Sequence, residues 1–549
     1  MTENSSKFLW RSFQRHRTYL ILTCLIVITV YNLSSFYFTI PSEPLTAYEF
    51  HETNPPPIDL YLPLNGTFSD SVAEKELRKV LDERTYDVPL HTSLLDWDRR
   101  IELYPKALMK TNWTNELPFG ESLYFAKLQQ ICMTKKDAII RSITPIQMQM
   151  ESSFTDALVF KNDSALLSVL RDCSAIDVYF PEGLRGHGYC EDALAYLRGL
   201  KTRLLPRWVF TETFYDAADD RNLTYFEICP STAVLFFNHY WDRLNEMEKW
   251  QERPIYLMPN IEMYELNAEH LWRSNVVLAK TVDAYQRITK WYQQNGNPRS
   301  TVVFYTRHTT SNIATISRSL VNSIEKDFDN VQITHTPGGS CQKNTHRICS
   351  CWERDSSMPS LDIFLDPELL RWEALSRYPW RRTNHSNYKL YTKDLSSRDY
   401  SDLLAHSAFF LCPSKMEGYG HYINQARAAG GVIITSNAPP MNELVTSTSG
   451  ILIPVLNESS EKQLLGGKYG VLFGLKNAPG IAANVHSSEI CEAVTRLVSK
   501  TSAKEREMMS QEAKKQYAFD TNFFLHKMKI IQTFAMENIA KKSELLTEN

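Results

Sequence analysis

The feature that most constrains this chain is a rhythm. From about residue 120 onward, short apolar runs such as "AIDVYF", "RPIYLM", "SNVVLAK", "TVVFYT", "FFLCPS" and "GVIITS" alternate with stretches of helical spacing. Short apolar strands separated by helices imply parallel sheets covered on both faces. "QNGNPRS", from Gln294 to Ser300, interrupts the rhythm once with turn residues. The pattern therefore predicts an α/β fold with two Rossmann-like domains facing each other across a cleft, residues 111–295 and 296–490. The helical material of 491–549 should pack back on the body. A chain of 549 residues, 43% of them hydrophobic, has enough length and apolar content for two such cores.

The N-terminal region reads differently. Tyr19 to Phe38 has no formal charge, follows Lys7, Arg11, Arg15 and Arg17, and is long enough to cross a hydrocarbon layer roughly 30 Å thick. The expectation is a cytosolic tail at 1–18, a retained transmembrane anchor at 19–38 and a proline-rich stem at 39–110. That is a single-pass type II protein with its body in the lumen of the Golgi, or of the ER as second choice. N-glycosylation patterns at Asn65, Asn112, Asn162, Asn222, Asn384 and Asn457 agree with a luminal body. Nine of the ten cysteines lie beyond the anchor, so disulfides are expected there, with pairing left open. "CQKNTHRICSC" matches no common zinc signature and reads as a disulfide-pinned part of an irregular insertion. The formal charge of −3 supplies no broad basic surface, so nucleic acid is not an expected partner.

The most informative segment is "FFLCPSKMEGYGHYINQARAAGGVIITSNAPPMNELV", Phe409 to Val445. Its first strand delivers Ser414, Lys415 and Glu417 to the carboxyl end of a sheet, where open α/β folds bind ligands. Gly418 and Gly420, on either side of Tyr419, permit close backbone approach, and a helix starting near His421 turns unpaired N–H groups to the same spot. Those groups favour phosphate. Glu443 follows in a stiff proline loop.

The order Pro413, Ser414, Glu417, Gly418, Gly420, Ala426, Ala428, Ala429, Gly430, Gly431, Ser436, Glu443 resembles the nucleotide-sugar signature of GT-B glycosyltransferases, especially the retaining glycogen-synthase-like group. The likeness spans about forty residues and is coarse elsewhere. It implies that Glu417 faces the donor sugar and that Glu443 lies near the nucleotide. It places Gln425 where the family often has a ribose-binding glutamate, a neutral amide in place of a charge. It also implies phosphate contacts from Arg307, with His308 and Thr310 beside it, and a nucleotide contact near Lys393. His187, on the loop "RGHGY", could reach the sugar from the first domain, the acceptor side. "MPNIEMYEL" offers Asn260, Glu262 and Glu265 to the same cleft.

The function so implied is transfer of a hexose or pentose from a UDP- or GDP-linked donor to a glycan or glycoprotein, with retention of configuration. No cofactor and no metal are expected, because cations and helix ends can neutralise a leaving diphosphate. A homodimer is left open. The alternatives are a non-catalytic carbohydrate-binding or scaffold protein on a degenerate transferase fold, suggested by Gln425, and a different two-domain α/β enzyme such as a phosphosugar epimerase.

Overall fold

Ala233–Phe237, Ile255–Met258 and Val276–Ala279 are buried at every position, as strands covered on both faces must be. They are central to an eight-stranded sheet in a computed structural model that describes residues 104, 117–142, 157–247, 250, 253–321, 324–376, 387–392, 395–455, 457–459, 462–467 and 471–547. From one edge the strands are Val302–Tyr305, Val276–Ala279, Ile255–Met258, Ala233–Phe237, Ile176–Tyr179, Arg203–Leu205, Ile139–Arg141 and Leu158–Val159. The first six run parallel, and Ile139–Arg141 pairs antiparallel both with Arg203–Leu205 and with Leu158–Val159. A second, six-stranded sheet has the order Tyr388–Tyr391, Ser360–Leu365, Gln332–Gly338, Phe409–Cys412, Val432–Ser436, Gly450–Ile453, all parallel.

In the second sheet the chain moves outward in one direction, then returns to lay Phe409–Cys412 beside Gln332–Gly338 and continues the other way. The carboxyl ends of those two strands flank a topological switch point, the place where open α/β sheets leave a crevice for ligands. The final helix, Ala503–Thr547, joins the two domains. Its Phe524, Met528 and Ile531 are buried among Tyr196, Phe237, Met258 and Phe304 of the first domain. Its Ser510 hydroxyl donates to the Gly430 carbonyl of the second at 2.7 Å. Each fully buried apolar side chain of this kind stabilises the packing by about 1.5–3 kcal/mol.

Several expectations are corrected. Val302–Tyr305, read as the opening strand of the second domain, pairs in parallel with Val276–Ala279 at the edge of the first sheet. The supposed irregular insertion after Cys341 contains a helix at Thr345–Arg354, a strand at Ser360–Leu365 and a helix at Pro367–Ser376. The segment "ATISRSLVNSIEKDF", whose spacing suggests a helix, forms one at Thr315–Arg318. The membrane anchor, the type II orientation, the membrane as partner and the Golgi or ER placement do not stand. Among the described residues no helix is long and apolar enough to cross a membrane, and residues 19–38 lie outside the described set. Disulfides join Cys132 to Cys190, Cys173 to Cys229 and Cys351 to Cys491.

Candidate functional site

At the switch point of the second sheet, two charged side chains meet. Lys343 ends the turn Cys341–Lys343 that follows Gln332–Gly338, and Glu417 follows Phe409–Cys412. The Lys343 ammonium donates to Glu417 Oε1, which also accepts the Ser414 hydroxyl at 2.5 Å. The same ammonium lies 4.0 Å from the centre of the Tyr422 ring. Gly420, at φ +100°, turns the chain into helix His421–Ala428, a conformation that a side chain would strain. Lys415 is half-buried, its backbone N–H donating to the Gln342 carbonyl at 2.7 Å.

The first domain closes over this corner. Asn260 and Glu262 follow strand Ile255–Met258 and face Gly418. A Cβ on Gly418 would fall 2.4 Å from Glu262 Oε2 and 2.6 Å from Asn260 Oδ1, so only glycine allows this approach. Both oxygens are buried and have no hydrogen-bond partner. Burial pushes the Glu262 carboxyl up to about 7, against the opposing pull of Lys280.

Beside it lies a buried polar cluster drawn from four elements. Asp192, on helix His187–Gly199, accepts from the Lys280 ammonium at 2.9 and 3.1 Å. His308 Nε2 lies 2.8 Å and His421 Nε2 2.9 Å from its Oδ1, and His421 Nδ1 is 3.3 Å from the Thr310 hydroxyl. Burial opposes ionisation of Asp192, but Lys280 and the two imidazoles outweigh it and hold the carboxyl well below its usual range. Burial pushes His308 down to about 4, so it is neutral at pH 7. Asp192, His308 and His421 bring ligand atoms within 4.8 Å of one another, a set able to hold a metal ion. The Lys280 ammonium already occupies the same carboxylate and supplies the positive charge that such an ion would bring.

The other residues singled out from the sequence are placed as follows. Arg307 is buried with its Nε against Asp520 Oδ1 at 2.5 Å, and its guanidinium sits 4.4 Å from the centre of the Tyr104 ring. The guanidinium is thus directed to the final helix and not to the switch point. Glu443 accepts the backbone N–H groups of Val282 and Asp283 at 2.7 and 2.9 Å, capping helix Val282–Asn295 of the first domain. Gln425 donates to Glu191 at 2.9 Å and accepts from the Tyr400 hydroxyl at 2.8 Å. The Tyr419 hydroxyl donates to the His308 carbonyl at 2.6 Å. His187 opens helix His187–Gly199. Lys393, Asn65, Asn112 and Asn384 lie outside the described residues. Asn162 and Asn222 are exposed, and Asn457 begins a short strand. The site thus brings together Glu417, Gly418, Gly420, His421, His308 and Thr310, and leaves Arg307 and Glu443 in structural bonds.

Lys343, Lys280 and Asp192 were not singled out in the sequence. Lys343 carried a usable signal: it follows Gly338 and Gly339 just past a strand exit, the same logic that marked Glu417. Asp192 and Lys280 carried none, since each is an ordinary charged residue until the fold brings them together.

Two Rossmann-like sheets with facing strand exits and a final helix spanning both form a GT-B-like arrangement. No family model and no curated protein sequence matches the chain. Among solved structures, α,α-trehalose 6-phosphate synthase of Burkholderia multivorans is 12% identical, over 58% of this chain and 72% of its own, with a TM-score of 0.37. Sucrose-phosphate synthase of Thermosynechococcus elongatus is 10% identical, over 58% and 74%, with a TM-score of 0.37. Anabaena HepE in complex with UDP and glucose is 14% identical, over 55% and 78%, with a TM-score of 0.35. Likenesses this distant assign nothing to the residues of this chain.

Proposed function

We propose that the chain is a glycosyltransferase that moves a sugar from a UDP- or GDP-linked donor to a hydroxyl of a glycan or glycoprotein. The observation that carries this reading is the pairing of Lys343 with Glu417 at the switch point of the second sheet, directly opposite two unpartnered oxygens of the first domain. A donor entering there displaces the Lys343–Glu417 bond. The ammonium and the N–H groups at the start of helix His421–Ala428 take the diphosphate, and Glu417 takes sugar hydroxyls. As the bond from C1 to the phosphate oxygen breaks, charge grows on the diphosphate, and Lys343 is placed to stabilise it. Lys343 thus fills the role expected of Arg307. Retention of configuration is the outcome implied by the resemblance to the glycogen-synthase-like group.

The test is release of UDP or GDP by the purified chain from a panel of nucleotide sugars, with and without saccharide acceptors. Glu417→Gln should lower turnover by about 100-fold or more. Turnover equal to wild type in that variant removes Glu417 from the mechanism. A second reading, carbohydrate binding without catalysis, is favoured by the structural bonds of Arg307 and Glu443. It predicts saccharide binding with no nucleotide release in the same assay.

A further inference from the structure

An unmade hydrogen bond inside a protein costs about 1–3 kcal/mol, and several buried oxygens among the described residues lack a partner. Here two of them, Asn260 Oδ1 and Glu262 Oε2, lie side by side on one loop at the junction of the domains. Both approach the Gly418 backbone within the space that a single methyl group would fill. They stand across the seam from Glu417, where the proposed reaction places the donor sugar. Their shared deficiency is chemically specific: each is an acceptor lacking a donor. Neighbouring hydroxyls of a saccharide supply two O–H donors, whereas a phosphate or a carboxylate would add acceptors to acceptors.

We propose that Asn260 and Glu262 form the acceptor subsite, binding two hydroxyls of an acceptor sugar, and that Glu262 is the catalytic base for the reacting one. This rests on the transferase reading above and adds the residue that removes the proton. In the step, the acceptor O–H bond breaks and its proton passes to Glu262 Oε2. The acceptor oxygen bonds to C1 of the donor sugar on the face from which the diphosphate leaves, so that configuration is retained. The bond from C1 to the β-phosphate oxygen breaks, and its electron pair leaves with the nucleoside diphosphate.

The groups around Glu262 suit the role. Lys280, from the end of strand Val276–Ala279, and Lys343, from the second domain, lower its proton affinity, while burial and the nearby Glu417 raise it. Tyr189, on helix His187–Gly199, completes the charged and titratable surroundings, and burial pushes its own phenol far up, so it stays neutral. The balance puts the carboxyl near neutrality, where a base can both take and release a proton.

The experiment uses the full chain with three readouts: affinity for UDP and GDP, affinity for a panel of mono- and oligosaccharides, and transfer rate against pH. Glu262→Gln should keep nucleotide affinity within about 3-fold, lower the transfer rate by about 100-fold or more, and abolish the acid limb of the pH profile. Glu262→Asp should restore part of the rate and keep that limb. Asn260→Ala should weaken saccharide binding by about 10-fold with nucleotide affinity retained, which also shows that the variant is folded. An unchanged acid limb in Glu262→Gln overturns the base assignment and leaves Glu262 as a protonated partner of Asn260. Unchanged saccharide affinity in both variants overturns the subsite. A wild-type chain that binds saccharides through Asn260 but neither UDP nor GDP sinks the transferase reading and the base with it, while the subsite stands.

Discussion

Glu443 receives the backbone N–H of Val282 at 2.7 Å, so a carboxylate of the second domain caps a helix of the first. Each of its oxygens takes one donor at the positive end of that helix, the second from Asp283. A charged cap at a helix start stabilises by about 1–2 kcal/mol. Glu443→Ala should therefore lower unfolding stability by about that amount while UDP or GDP affinity changes less than 3-fold. Denaturant unfolding and calorimetric titration of one preparation separate the two. A large loss of nucleotide affinity with stability intact would return Glu443 to the donor site.

Arg307 and Asp520 form a buried pair, and Arg427 donates to the other oxygen of the same carboxylate at 2.6 Å. Removing Asp520 leaves two guanidinium groups buried without their counter-charge, a loss of about 3–5 kcal/mol. Asp520→Asn should show that loss in thermal or urea unfolding. A stability within about 1 kcal/mol of wild type would mean that this pairing does not hold in solution.

Gly418→Ala tests the closeness of the domains. The added carbon meets Glu262 and Asn260 at 2.4 and 2.6 Å, so the loops must move apart. A displacement of that order at a reacting centre lowers turnover by about 100-fold. The double variant Gly418→Ala with Glu262→Ala removes only the Glu262 contact and leaves Asn260 Oδ1 at 2.6 Å, so it should recover part of the lost stability and no turnover. Full activity in Gly418→Ala would show that the seam is wider during catalysis than in this structure.

The buried histidines make stability depend on pH. His335 donates from Nδ1 to the Leu411 carbonyl at 2.7 Å and lies 3.0 Å from the Thr345 hydroxyl through Nε2. Burial pushes it down to about 4, as it does His308 and His270. In the unfolded chain these rings protonate below about 6.5. Their contribution is therefore complete above about pH 6.5 and lost as pH falls toward 4, on the order of 3 kcal/mol for each ring. Glu262, raised to about 7, acts in the opposite sense over roughly the same window and offsets one of them. Unfolding at pH 7 and pH 5 should show a net loss at the lower pH, and His335→Gln should reduce it. Equal stability at the two values would show that the imidazoles protonate without unfolding.

Local chemistry made much of this legible. The strand Phe409–Cys412, the turn at Gly420, the helix His421–Ala428 and the strand Val432–Ser436 follow from a short apolar run, a glycine and helical spacing within forty residues. Sheet membership was not legible for Val302–Tyr305, because an apolar run states that a strand is buried and not which neighbour it pairs with. Arg307 follows the apolar run "TVVFYT", yet its use depends on Asp520, more than 200 residues later, in the final helix. Glu262 was visible as an acid near a cleft. Its lack of a partner is a property of the packed structure alone.

The final helix, Ala503–Thr547, extends this dependence to biosynthesis. Phe304 and Tyr196 meet Phe534 and Phe524 of that helix, with ring centres 5.5 and 5.6 Å apart, so a nascent chain in which both sheets have been made still exposes an oily groove on the first. Until the ribosome has made that helix, the groove is open to any other apolar segment nearby, including the same groove on a neighbouring nascent chain.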